Sequence, residues 1–216
     1  MSFQTIFEIQ QSMTVNNRRT VGQQVSRSGQ VRVAQYLTSV PWVFTVTPHA
    51  YLPYATSRDI IQTIDNLDRQ LPETITFNSA NLAWFTDYQG DLTTAQANAL
   101  TLAAVPAANA QTISVGNLPS VASTKYVFKA GDFLQLGSYT YKVTEDVQRG
   151  SASTVSVDIH RPVIGTPTTG TLAGVGNACE FTVLAELCPT YTLMPAPGGA
   201  FVQWDDAFVF REDITG

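Results

Sequence analysis

Charge is scarce in this sequence: 13% of its 216 residues are charged, against 44% that are hydrophobic. That balance excludes a disordered tail, which is too polar to build a core. Long apolar runs are missing too, and none approaches the roughly 18 residues of a membrane helix. The opening MSFQTIFEIQQ lacks the basic start and apolar block of a signal peptide, so synthesis in a cytoplasm is expected. Cysteine is limited to Cys179 and Cys188. If the intervening EFTVLAEL is one strand, at about 3.3 Å per residue the sulfurs stand far beyond disulfide reach. Two buried thiols are expected, with no disulfide scaffold and no zinc site. Histidine is limited to His49 and His160. A lone histidine with no second ligand is most often structural. No cofactor and no metal are expected.

The net charge of −5 argues against a nucleic-acid binder, because phosphate neutralisation needs clustered Lys and Arg. The charge is unevenly placed. Arg18, Arg19, Arg27 and Arg32 face only Glu8 within the first fifty residues, while Glu145, Asp146, Glu180, Glu186, Asp205, Asp206, Glu212 and Asp213 load the second half. A basic face and an acidic face can steer subunits together, so these four arginines are the subunit-interface candidates.

What is present is mostly β patterning. FQTIFEIQ alternates Phe3, Thr5, Phe7 and Ile9 with polar neighbours and reads as a strand, as does GQVRVAQYL. Between them, the polar stretch from Asn16 to Gln30 reads as a long hairpin or arm. PWVFTVTPH reads as a strand inside a sheet. The period then changes: Ile60, Ile61, Ile64, Leu67 and Leu71 share one stripe of a helix, with a Thr56 to Asp59 capping box at its start and Pro72 at its end. TITF and LAWF read as short strands, and DLTTAQANALTLAAVP permits a second helix. CEFTVLAEL, AFVQW and AFVFRED are expected to return to the first sheet, with PAPGG as a linker and Asp205 and Asp206 in a turn.

From about 111 to 176 the composition shifts to Ser, Thr, Val and Gly. This segment is expected to be a small β module inserted into a domain made of 1–110 and 177–216. It contains KAGDFLQLGSYTYKVTEDVQRG, whose glycines and acids resemble a phosphate or metal site. A phosphate loop leads into a helix, whereas Gly131 leads into a strand. The stretch reads as architecture: a turn, the strand FLQL, a tight turn at Gly137 and Ser138, and the return strand YTYKVTEDV.

Asp158 and His160, two apart on a strand, share a face as an acid and base pair would, but no nucleophile motif accompanies them. Asp205 and Asp206 suit a turn better than a calcium site, for no EF-hand spacing is present. Trp42, Trp84 and Trp204, with Tyr51, Tyr54 and Tyr88, are candidates for sugar stacking. Trp204, on a terminal hairpin, is the best placed of them, although core packing is the usual use of such rings.

The order of elements carries one further implication. A start of TIFEIQQSMTVNNRRTVGQQVSRSGQVRVAQYLTSVPWVFTV, then the helix SRDIIQTIDNLDRQL, an inserted FKAGDFLQLGSYTYKVTEDV and the ending FVQWDDAFVFREDI together resemble tailed-bacteriophage tail-tip proteins, the distal tail and baseplate hub group. The resemblance implies a mainly β fold, a split β-barrel or sandwich with one packed helix and an inserted small β-barrel. It implies a non-enzymatic virion component, made in the host cytoplasm, whose copies close into a ring, a hexamer in such proteins. That ring would join the tail tube to hub, baseplate or fibre proteins and keep a channel open for DNA without binding it. A glycan-binding β module is the alternative.

Overall fold

Phe3, Ile6 and Phe7 recur at the three-four spacing of a helix face, and the chain opens with helix α1 (Ser2–Glu8), not the strand expected there. All three side chains are buried. In the computed structural model the described residues are 2–18, 21–25, 27–35, 40–65, 71–107, 109–172 and 174–214. Strand β1 (Gln10–Asn16) leads to a ribbon of β2 (Val21–Val25) and β3 (Val31–Gln35), so a hairpin forms, but its return strand is the one expected in GQVRVAQYL and lies beyond the polar stretch 16–30. Strand β4 (Val43–Pro48) buries Phe44, Val46 and Pro48 on alternate positions, and the short β5 (Leu52–Pro53) runs into helix α2 (Tyr54–Asp65).

Helix α2 begins before Thr56, so the expected capping box lies inside the helix. Ile60 and Ile61 are buried and Ile64 packs against them from a half-buried position. Leu71, expected on the same stripe, is 64% exposed, and Leu67 lies outside the described residues. The helix therefore seats on its first isoleucines. Strand β6 (Glu73–Thr76) follows as expected, but LAWF lies largely in a short helix, α3 (Ala83–Thr86). Helix α4 (Thr94–Asn98) is capped by Thr93, whose hydroxyl accepts from Gln96 N while the Gln96 side chain accepts from Thr93 N.

Seven of the next strands are β7 (Thr101–Leu102), β8 (Thr112–Gly116), β9 (Tyr126–Phe128), β10 (Phe133–Leu136), β11 (Tyr139–Lys142), β12 (Val147–Gln148) and β13 (Val155–Asp158). The FLQL strand and the Gly137–Ser138 turn are as expected, but the return strand breaks after Lys142 and resumes only as β12. After β14 (Gly170–Thr171) and β15 (Gly174–Val175), a turn of 3₁₀ helix (Gly176–Ala178) leads to β16 (Glu180–Leu187). PAPGG is not a linker: β17 (Tyr191–Ala196) and β18 (Gly199–Trp204) pair as a hairpin around Pro197 and Gly198. Pro195 fits because β17 is an edge strand, where the missing N–H breaks no ladder. Strand β19 (Phe208–Glu212) ends the fold.

The result is mainly β, with a curled half-barrel sheet ordered β1-β4-β19-β16-β6. The C-terminal strands β16 and β19 thus return to the first sheet, whereas AFVQW, expected there too, lies in β18 and pairs with β17 and β5 in a separate sheet. Buried residues gather in two clusters. The first holds the faces of α1, α2, the five-stranded sheet and the β17-β18-β5 ribbon. The second runs from Leu92 to Val175 and so includes α4 and β7, which precede residue 111. The chain leaves the first cluster after α3 and returns through the 3₁₀ turn, and these crossings touch: Thr86 Oγ1 donates to Asn177 Oδ1 at 2.8 Å. Gly176 stands there at φ +61, where an added Cβ would lie 2.9 Å from Tyr88 Cβ. Only glycine fits that crossing.

The seating of α2 gives a graded expectation. Ile60→Ala should lower the unfolding free energy by about 2–5 kcal/mol, Ile64→Ala by less, and Leu71→Ala by no more than about 0.5 kcal/mol. Urea titrations of the three variants check the order, and equal losses at positions 60 and 71 would overturn this seating.

Candidate functional site

Strand β10 is the wall between the two cores. Its four residues are all buried, and alternation sends Leu134 and Leu136 into the second cluster while Phe133 joins the first. Gln135, on the same face as Phe133, accepts from Glu180 N at 2.9 Å and donates to Gly137 O at 3.0 Å. Across the hairpin, Thr140 Oγ1 donates to Glu180 O at 2.6 Å. The stretch KAGDFLQLGSYTYK is therefore shared by both cores.

Behind this wall lies a buried ion pair. Arg161, just past β13, reaches Glu212 at the end of β19, and both side chains are 1% exposed. Nη1 donates to Glu212 Oε2 at 2.5 Å and to Val40 O at 2.8 Å; Nη2 donates to Glu212 Oε1 at 2.6 Å and to Thr140 O at 3.0 Å. Trp42 joins in, its backbone N–H donating to Glu212 Oε2 at 3.0 Å and its indole Nε1 to Thr140 O at 2.9 Å. The Tyr141 ring lies 5.1 Å from the guanidinium carbon. This bidentate fork uses four of the five guanidinium donors, and Nε alone has no acceptor among the described residues. The sequence held no signal of it, for fifty-one positions separate the partners. The nearest hint was the DIHRP segment, singled out for Asp158 and His160.

Those two residues are not brought into an acid and base pair. Asp158 Oδ1 accepts from the Thr112 hydroxyl at 2.5 Å, while His160 Nδ1 accepts from Lys142 N at 3.0 Å and its ring packs 5.0 Å from Trp42. Asp132 and Asp146, acids of the stretch KAGDFLQLGSYTYKVTEDVQRG, serve the backbone, as does Asp91. Asp132, fully buried, accepts from Gln89 N at 2.7 Å and Lys129 N at 2.8 Å, closing the turn in which Gly131 takes φ +106. Asp146 accepts from Ala130 N at 2.8 Å and Asp91 from Tyr126 N at 2.9 Å. Burial pushes the Asp132 carboxyl above the usual carboxylate range, partly offset by its two N–H donors. The exposed Asp91 moves the other way, held down by the Tyr126 N–H.

Asp205 accepts from the hydroxyls of Thr190 at 2.7 Å and Thr192 at 3.2 Å, and Asp206 from Ala207 N at 2.7 Å, so the pair forms a hairpin turn. Among the described residues, no three His, Cys, Asp or Glu side chains are grouped to hold a metal ion. Cys179 is buried, and burial raises its thiol pKa; Cys188 is half-buried, less enclosed than expected, and both are free thiols.

Trp204 is only 7% exposed, packed between Tyr191 and Phe208 at 5.4 and 4.8 Å, so the favoured stacking ring offers no face to a sugar. The most exposed aromatics among the described residues are Trp84 at 69% and Tyr51 at 59%, the latter at φ +59, with Tyr54 and Phe201 less exposed. Arg18 and Arg27 are exposed at the root and tip of the ribbon, and Arg32 is a residue of β3. Arg19 lies outside the described residues. A scan against protein-family models and a search of curated proteins find no match to this chain.

Removing one partner of a buried pair strands the other charge. Arg161→Met should cost about 3–5 kcal/mol in urea unfolding, and the double change with Glu212→Leu should recover most of it. A single variant as stable as wild type would show that the pair does not hold the joint. Asp132 gives a pH test. Its raised folded-state pKa makes its titration favour folding below the ordinary carboxylate pKa, an advantage lost as pH rises through the folded value. Asp132→Asn removes that titration, so wild-type stability relative to this variant should fall between about pH 3 and pH 7. Calorimetry at both ends checks the sign, and a difference that grows with pH would reverse it.

Proposed function

We propose that this chain is a structural component of a bacteriophage tail tip or baseplate, a ring subunit that joins the tail tube to the host-recognition apparatus and leaves a channel open for DNA. The observation that carries the reading is the unequal treatment of the two edges of the half-barrel sheet. At β6 the edge is closed from within: the Gln4 side chain donates to Thr76 O at 3.0 Å and accepts from Thr76 N at 2.9 Å, standing in for a neighbouring strand. At the other edge β1 pairs with β4 alone among the described strands, and its sequence QQSMTVN holds no charge and no proline. Such an open, uncharged edge is a liability in a monomer and a joint in an assembly. The polar side chains of the fold favour the same reading, for the acids that suggested chemistry accept hydrogen bonds within the structure. Function then lies in geometry.

The glycan-binding alternative rests on Trp84 and Tyr51, whose exposed rings suit stacking on sugars. One experiment separates the two readings. Size-exclusion chromatography with negative-stain microscopy should show closed rings of the purified chain. Monomers at every concentration, together with binding on a glycan array lost in Trp84→Ala, would overturn the ring and establish the alternative.

A further inference from the structure

Residues 9 to 58 contain Arg18, Arg19, Arg27, Arg32 and Arg58 and neither Asp nor Glu, in a chain with 17 acidic and 12 basic residues. Every acid except Glu8 therefore lies at Asp59 or beyond. The ribbon within this cationic segment pairs only with itself among the described strands. Arg18 and Arg27 are exposed, and neither has a carboxylate within ion-pair distance among the described residues. Among the described residues the arginines that form ion pairs, Arg161 and Arg211, lie in the second half of the chain.

We infer that the β2-β3 ribbon, through Arg18 and Arg27, is the cationic half of a joint whose other half is a carboxylate-bearing surface on a second copy of this chain. Charge complementarity selects that occupant. The ribbon carries the positive excess, and the rest of the same chain carries more than the whole net charge of −5 in acids. Glu145, exposed beside the Asp158 strand and without a cation in ion-pair distance, is one such group. Two copies placed ribbon to acidic face neutralise both surfaces, and the contact is heterologous, as ring closure requires. The inference rests on the ring reading for its geometry, though not for its chemistry. Each exposed pair contributes little and is screened by salt, so the joint acts through several pairs and weakens as ionic strength rises.

The test compares the full-length chain with R18E/R27E and R18K/R27K by sedimentation velocity, at about 50 and about 500 mM salt. Circular dichroism should be the same for all three. At low salt R18E/R27E should associate roughly tenfold more weakly or worse, R18K/R27K should stay close to wild type, and high salt should weaken wild type toward the reversed variant. If R18E/R27E fails to fold, R18A/R27A should show the same loss in smaller measure. Equal association by wild type and R18E/R27E at both salts overturns the joint, as does a wild type that stays monomeric throughout. Fluorescence anisotropy with a short DNA duplex adds one outcome: arginine-dependent DNA binding with unchanged association assigns the ribbon to nucleic acid and overturns the joint. Microscopy separates the two readings. Rings formed alike by wild type and R18E/R27E remove the joint and leave the ring, while salt-sensitive, arginine-dependent dimers without rings keep the joint and remove the ring.

Discussion

Two cores meet at one wall, and the wall is closed by a guanidinium and a carboxylate that are both buried. Arg161 comes from the second cluster and Glu212 from the last strand of the first. Between them they hold Val40 O, Thr140 O and Trp42 N, backbone groups of two separate segments. Burying two charges is costly, and their attraction offsets that cost only when geometry and extra hydrogen bonds are good. Here both carboxylate oxygens and four guanidinium donors are used. An apolar contact of similar volume would give comparable stability without direction, whereas the fork fixes how one core sits on the other.

The small strands of the second cluster explain why so many acids looked like a site. Strands such as β9 and β12 are too short to pair every backbone N–H, and loops around them leave donors that need acceptors. Asp is short enough to turn back on nearby backbone, which is why it recurs at turns. Asp132 does this with Lys129 N, while Asp91 and Asp146 accept from the N–H groups of Tyr126 and Ala130 on distant segments. A cluster of acids and glycines in a segment of brief strands therefore has a structural use before any chemical one. The test that separates the two is whether the carboxylate oxygens already accept from backbone.

Strands with a clear alternation, β4, β16 and β19, are legible because one face is more buried and period two follows from the pleat. Helix α1 was misread because Phe3, Phe7 and Ile9 satisfy a period of two when Ile6 is ignored; Ile6, fully buried, is the residue that distinguishes the helix. LAWF failed in a similar way, since four residues cannot show a period. PAPGG reads as a linker because Pro and Gly mark turns, and a turn is there, though Pro195 and Gly199 belong to the strands around it. Trp204 shows the limit for sites. Composition names an aromatic ring, but only packing decides whether its face is free.

The joint between the cores was illegible for a deeper reason. An ion pair across fifty-one positions has no period and no local motif, and its members look like surface charge until the fold encloses them. What the sequence did show was a difference in charge between segments, because that needs no contact to be seen. The structure divides those charges by use. Arg161 is spent within the fold and Arg211 pairs with Glu186 at 2.8 Å on its surface, while Arg18 and Arg27 stand on a ribbon that no described strand joins. A cation consumed by its own fold cannot recruit a neighbour. Arg18 and Arg27 are left over at a ribbon that no described strand joins, and that coincidence of charge with isolation gives the ribbon its meaning.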